Sequence, residues 1–371
     1  MRMAEAPALE PAAAFEQWYV SSSYQQFVQS EEAPLYQGSA IEDLASIELA
    51  DWKRRGGKVA YTRMADQEIF GLQIVEIPPG GELKPEHHMY ESFMLVIQGR
   101  GVSRIWQEGE EPHTVEWQEG SLLGIPLNAW HQEFNSSGQE PCRMVNCTNM
   151  AGMINQYHNI DFIFNNPYVF RDRFSTSMNQ FYGDKPKHWN TRLYETNFIP
   201  DVRKFGVDAW VEKGAQTSIS RISMASTYLG LHILDVGEGT YAKAHRHDAG
   251  AHVIQVGGTG YEHLYYEGET EMRRVPLHPY GVIAPKRNEF HQHFNTGKGS
   301  MRQVAIRHGP ARYGSGGRYD PLGAAQTRDP SATGYQIDYE REDPAIRETY
   351  YKELEKNGID LRLPPVSQGR S

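Results

Sequence analysis

At 371 residues the chain is too long for one ordinary domain and long enough for two with residues to spare. Its 39% hydrophobic and 23% charged residues can build a sizeable core, which argues against long disorder, and no apolar run approaches the roughly 18 residues that a membrane-spanning helix requires. A formal net charge of −10 works against nucleic acid and anionic membranes, because both need clustered cations to displace counterions.

Taken in chain order, the N-terminal part, 1–64, reads as helical or irregular. Its first residues, MRMAEAPALEPAAAF, mix acidic residues with alanine and lack an apolar core, so they do not read as a secretion signal and a cytoplasmic location is expected. The aromatics Phe15, Trp18, Tyr19, Tyr24 and Phe27 exceed what one amphipathic face needs. They pack either on the chain's own body or on a second copy; a homodimer is the expected assembly, two-fold closure being commonest, with a higher homo-oligomer as the alternative.

From 65 to 150 the pattern changes to short apolar runs, FGLQIVEI, SFMLVIQG, RIWQ and SLLGIPL, separated by Gly, Pro and Asn turns. These are strands, with no helical spacing of useful length between them, which excludes a βαβ plan and leaves an antiparallel sandwich or barrel. Cys142 and Cys147 stand five apart, on opposite faces if one strand carries both, so neither a disulfide nor a cysteine zinc site is expected. Residues 151–221, with their FIFNNPYVFRDRF, read as an aromatic-rich linker that wraps a barrel or forms a subunit contact. The strand pattern then returns over 222–308. Beyond it, 309–334 reads as a long loop or flap, and Asp343-Pro344 starts a C-terminal helix that Gly358 ends.

The two strand-rich stretches are repeats. A shift of 159 lays Ile74, Glu76, Gly80, His88, Gly99 and Gly101 on Ile233, Asp235, Gly239, His247, Gly258 and Gly260. A shift of 160 lays His131, Gln132, Phe134 and Asn135 on His291, Gln292, Phe294 and Asn295.

Histidine is unevenly spread: seven of the 15 lie between His245 and His293. Alternate residues of a strand share a face, so His245 and His247 both point into a barrel while Arg246 points out, and His291 from a later strand completes three convergent nitrogens. Such a trio either ligates a metal or forms a hydrogen-bonded core. His252 is a further candidate ligand, if a turn through Gly250 resets the strand register, or else a structural hydrogen bonder. His293, two residues past His291, is a substrate contact or a polar core residue, while His263 and His278 read as surface positions. The first repeat places Glu86, His88 and His131 at the positions of His245, His247 and His291. One carboxylate with two imidazoles suits Fe(II), with Glu91 and His87 crowding the same stretch; a degenerate site kept for folding is the alternative.

These residues resemble the cupin superfamily, and specifically its two-domain bicupins. The resemblance rests on Gly239-x5-His245-x-His247 and His291-x3-Asn295 in the second repeat, where the usual Glu is absent and Pro285 is displaced by one. In the first it rests on Gly120-x5-Pro126 and His131-x3-Asn135, with Glu86 at the first His and Ser92 at the usual Glu. It implies an all-β fold of two jelly-roll (double-stranded β-helix) barrels with helical or irregular flanks. Among bicupins, an H-R-H segment without the Glu and with a late His looks like the gentisate 1,2-dioxygenase group. That group's three-histidine Fe(II) site transfers to His245, His247 and His291, although its catalysis uses the N-terminal barrel. The expected reaction is then a non-haem iron dioxygenation of a small hydroxylated aromatic or related acid, with O₂ and a small molecule as partners. Lys243, Arg302 and Arg307 would anchor the substrate's carboxylate, and His293, Tyr241 and Gln255 would donate hydrogen bonds at the reacting centre. Two alternatives stand beside it: a non-redox isomerase, lyase or decarboxylase using Mn, Ni or Zn, and a non-enzymatic small-molecule-binding module.

Overall fold

The computed structural model describes residues 20–65, 68–178, 181–183, 185–247, 251–269, 271–309, 312 and 335–366. Phe15, Trp18, Tyr19 and Gly250, and the 309–334 segment except 309 and 312, therefore lie outside the described residues, as does the side chain of His308.

Two jelly-roll barrels stand back to back, each made of a large, mainly antiparallel sheet and a small antiparallel one. The large sheet of the first barrel orders its strands Leu35–Gly38, Lys58–Met64, Gly71–Ile77, Cys142–Thr148, Ser92–Gln98, Leu122–Ile125, Phe198–Ile199, and faces the three strands Trp130–Asn135, Arg100–Trp106 and His113–Gln118. In the second barrel, Thr217–Ser223, Leu229–Val236, Met301–His308, Ala251–Gly257 and Val282–Ile283 face Arg273–Leu277, Gly260–Tyr265, Phe290–Asn295 and Ala244–His245. The registers repeat with the sequence: Ile74 pairs with Val145 as Ile233 pairs with Val304. Strand pairing extends the barrels further back than the repeat suggested, to Lys58 and to Thr217.

The central strands read as continuous apolar runs because both their faces are covered. In Ser92–Gln98, Met94 and Val96 fill the first barrel, while Phe93, Leu95 and Ile97 join Ile233, Ile254, Val304 and Ile306 in a shared layer between the large sheets. Cys142 and Cys147 are both free and buried, one in each of these layers. Gly101 and Gly260, matched by the repeat, are needed for close approach: a Cβ there would sit 2.1 Å from the Phe134 carbonyl oxygen and 1.9 Å from that of Phe294.

The flanking segments staple the barrels. Leu35–Gly38 pairs in parallel with Lys58–Met64 of the first barrel, and Ala40–Ile41, two residues on, joins Val282–Ile283 of the second. The linker is more regular than its composition suggested: the helices Met150–Tyr157 and Ile160–Phe164 cap the first barrel, with the Met89 amide donating to the Ile163 carbonyl at 2.8 Å. At the N-terminal side Tyr24 and Phe27 of the helix Ser23–Ser30 bury into the same core, so these two aromatics wrap the chain's own barrel. The C-terminal helix runs Pro344–Asn357, with the Asp343 side chain accepting from the Ala345 amide and Gly358 left-handed at φ 64°. No helix among the described residues is long and apolar enough to cross a membrane.

Candidate metal centres

In the second barrel His245 and His291 pair across adjacent strands, with ring centroids 3.9 Å apart, and His247 adds a third ring 4.9 Å from His291. One nitrogen from each of the three lies within 4.8 Å of the others. The Nδ1 atoms of His245 and His291 face the carbonyls of Lys243 and Glu289 at 3.3 and 3.5 Å. A carbonyl only accepts, so Nδ1 carries the proton and Nε2 keeps its lone pair. Burial, reinforced by the neighbouring imidazoles, pushes His245 and His291 well below the ordinary histidine range, which keeps them neutral and able to ligate. His291 is buried and the other two are half-buried.

The first barrel builds its counterpart at the same register: Glu86 bridges to His131 as His245 pairs with His291, and Glu86, His88 and His131 offer ligand atoms within 4.8 Å. Its wiring matches too, His131 Nδ1 contacting Glu133 Oε1 at 2.7 Å and His88 Nδ1 the Tyr90 carbonyl at 2.8 Å. His131 Nε2 is a buried nitrogen with no partner, as a ligand nitrogen would be. These donor sets fit a divalent metal, and Glu133 behind His131 makes the carboxylate–histidine arrangement that orients such ligands. Burial alone would raise the Glu86 carboxyl, but Arg54 and Arg55 hold it well below the usual range. Arg55 donates to Oε1 at 3.0 Å and Arg54 contacts Oε2. The site is sealed: Tyr90 stacks on His88 at 3.6 Å, Phe164 lies edge-on to Tyr90, and the Arg54 guanidinium covers Phe164 at 4.4 Å.

The remaining sequence candidates divide between these sites and other places. Glu91 stays out of the first group: its carboxylate accepts the amides of Tyr228 and Leu229 at 2.7 and 2.9 Å, tying the first barrel to the second. His87 turns outward to Asn128 and Trp130. His252 falls in the layer between barrels, fully buried edge-on to Phe70, because Ala251 and Val253 of the same strand take the inner face; the turn through Gly250 lies outside the described residues. His293 does face inward, 5.6 Å from both His245 and His291, with Nδ1 on the buried carboxylate of Glu262. Gln255 faces inward too, receiving a hydrogen bond from Gln303 at 3.1 Å.

Tyr241 lies on the outer face, against Phe294, Tyr339 and Tyr350 beneath the C-terminal helix, and its hydroxyl donates to Glu342. The irregular residue between the bridge at Tyr241 and the strand Ala244–His245 shifts the alternation, so Tyr241 points out and His245 in. Lys243 pairs with Asp338 at 2.7 Å, and Arg302 makes a two-pronged ion pair with Asp235 at 2.6 and 2.7 Å on the layer between the barrels. Arg143 pairs with Glu76 at the matching place in the first barrel, through two nitrogens on one carboxylate oxygen, so this arginine belongs to the scaffold. Arg307 shares the inner face with Ala305 and His232. His278 is exposed, whereas His263 is half-buried between Tyr261 and Phe294.

Sequence reasoning missed Arg54, Arg55, Glu133, His232 and Glu262. Glu133 and Glu262 were reachable in principle, one sharing a strand face with His131, the other directly opposite His293 across a strand pair. The two arginines lie outside the recognised repeat and left no such signal.

A search of the curated proteins found no match. Among solved structures, a vicilin from Corylus avellana (hazelnut) is 12% identical, covering 73% of this chain and 86% of its own, with a TM-score of 0.48. An oxalate decarboxylase variant from Bacillus subtilis is 11% identical over 74% of this chain and 78% of its own, TM-score 0.48. A salicylate 1,2-dioxygenase from Pseudaminobacter salicylatoxidans is 14% identical over 65% and 71%, TM-score 0.47. Residues 73–148, which carry His88 and His131, match the family described as Cupin domain, and the second barrel repeats the strand plan of that stretch.

Proposed function

We propose that the protein is a metal-dependent enzyme whose second barrel carries the chemistry: a non-haem Fe(II) dioxygenase, of the gentisate 1,2-dioxygenase-like kind, acting on a small hydroxylated organic acid. The observation that carries this reading is the contrast between two convergent donor sets. The first is sealed under Tyr90, Phe164 and Arg54, as structural metal sites are; the second leaves His245 and His247 half-buried, as a site that must admit substrate requires. His245, His247 and His291 would hold the metal, which when bound supplies Lewis acidity and one-electron chemistry towards O₂. The chain's own residues do the rest. Arg307 and Arg221 share the inner face with His232 and would draw the acid's carboxylate into the barrel. His293, held through Nδ1 by Glu262, keeps Nε2 for a substrate hydroxyl. Assembly as a homodimer belongs to the same proposal, and light scattering on the eluting protein checks it.

The decisive experiment measures O₂ uptake by Fe(II)-loaded protein over a panel of ring-diols and hydroxy acids. Uptake with at least one of them, lost in His247→Ala and retained in His88→Ala, is expected; no uptake across the panel would overturn the proposal.

A further inference from the structure

Resting on the reading of the second barrel as the ligand-holding one, we infer that its substrate is an aliphatic polyhydroxylated acid rather than a flat aromatic one, with separate hydroxyls donating to Glu262 and to Gln303 beneath the three imidazoles. The repeat allows a position-by-position comparison of the interiors. Where the first barrel has Val96, Ser103 and Met144, the second has Gln255, Glu262 and Gln303, all three with no exposed surface. The first interior is completed by Trp117, Met94 and Tyr61; the apolar part of the second by Ala251, Val253, Leu264, Leu277, Ile283 and Ala305, none of them aromatic.

The polar group is built across the barrel. Gln303 Nε2 donates to Gln255 Oε1 and to Glu262 Oε1, each at 3.1 Å, and the same Glu262 oxygen meets His293 Nδ1. Gln255 spends its own amide on the carbonyls of Gly257 and Gly258. That leaves Glu262 Oε2 and Gln303 Oε1 buried with no partner. Two unpaired acceptors at that depth are costly: a proton on the Glu262 carboxyl, which burial raises, relieves its oxygen alone, whereas donors from a ligand relieve both. A molecule reaching them from the three histidines passes His293, one side chain away, so it must carry hydroxyls, one for each acceptor, beyond its metal-binding end. A ring without a distal hydroxyl, as in salicylate, would lay an apolar edge against both acceptors, and a ring with one, as in gentisate, would bring a single donor to two of them. A site built around a substrate hydroxyl rejects an analogue lacking it far more strongly than an apolar pocket rejects an extra methylene.

The test is calorimetric titration of the metal-loaded and the metal-stripped full chain with D-gluconate and L-tartrate, against gentisate and salicylate. Tighter binding of an aliphatic probe is expected. Gln303→Met, which installs the first barrel's side chain, and Glu262→Gln should each weaken that probe at least tenfold and the aromatic acids less than twofold, with metal content unchanged. Tighter binding of an aromatic acid, equal weakening of both classes, or no binding by any probe, the acceptors then serving an ordered water only, would overturn the inference. The ranking on the unsubstituted chain decides even if a variant does not fold. Aliphatic binding without O₂ uptake would count against the dioxygenase reading and for this one.

Discussion

Each candidate ligand imidazole with a defined Nδ1 contact, His88, His131, His245 and His291, turns that atom to a carbonyl or carboxylate, which leaves Nε2 for the centre of its barrel. The difference between the sites is charge. The second has three imidazoles, two of them held neutral by burial, whereas the first has a carboxylate already countered by Arg54 and Arg55 and a second carboxylate, Glu133, behind His131. Burial opposes ionisation of Glu133, yet His131 and Arg55 bring it down to about 2, so it stays charged at neutral pH. Glu133→Gln should therefore weaken metal binding in the first barrel by about ten- to hundredfold and leave the second unchanged, read by chelator competition with His247→Ala as background. At this scale the legible residues were those with periodicity on their side. His245, His247 and His291 followed from strand alternation, and Glu86, His88 and His131 from the repeat. Lys243, Tyr241 and Arg302 misled because residue type does not say which face of a strand a side chain takes, and one irregular residue inverts the alternation.

Among the elements, the C-terminal helix and the strand Gln336–Ile337 before it hold the second site from outside. Gln336–Ile337 pairs directly with Ala244–His245, and the Tyr350 hydroxyl reaches the carbonyls of Thr240 and Asn295 at 2.7 and 2.5 Å. Glu342 anchors the same junction between Tyr241 and Gln292. Burial raises its carboxyl to about 7, against the opposing hydrogen bonds of Tyr241 and Gln292. A carboxyl raised on folding binds more protons in the folded state, so its contribution is complete below about 4.5 and is lost as pH rises through about 7. Thermal melts between these limits should show the wild type losing stability relative to Glu342→Gln, by at most about 3 kcal/mol; parallel curves for the two would refute the assignment. This helix was readable because capping is local: Asp343, Pro344 and Gly358 stand where N-cap, first turn and stop require them. The linker helices were not, since MAGMINQY is short and draws its stability from packing Met150, Ala151 and Ile154 on a barrel distant in sequence.

Across the whole molecule, stability is shared between the barrels. Phe93 has no exposed surface and sits in the layer where both large sheets meet, and the Glu91 carboxylate two residues earlier holds the second barrel's amides. Phe93→Ala should cost about 3–5 kcal/mol, and scanning calorimetry should show one shifted transition; two separated transitions would mean the barrels unfold independently. The sequence by itself determined the all-β class, the duplication, the two donor sets and the C-terminal helix. All of these depend on spacing along the chain, and a period of two or an internal repeat survives in one dimension. Only the tertiary structure decided that the first site is sealed while two ligands of the second are half-buried, that Arg54 and Arg55 neutralise Glu86, that Glu91 bridges the barrels and that Glu262 and Gln303 meet across an interior. Those outcomes come from side chains brought together from different strands, where distance and burial, rather than order in the chain, set the charge each group carries and the partner it finds.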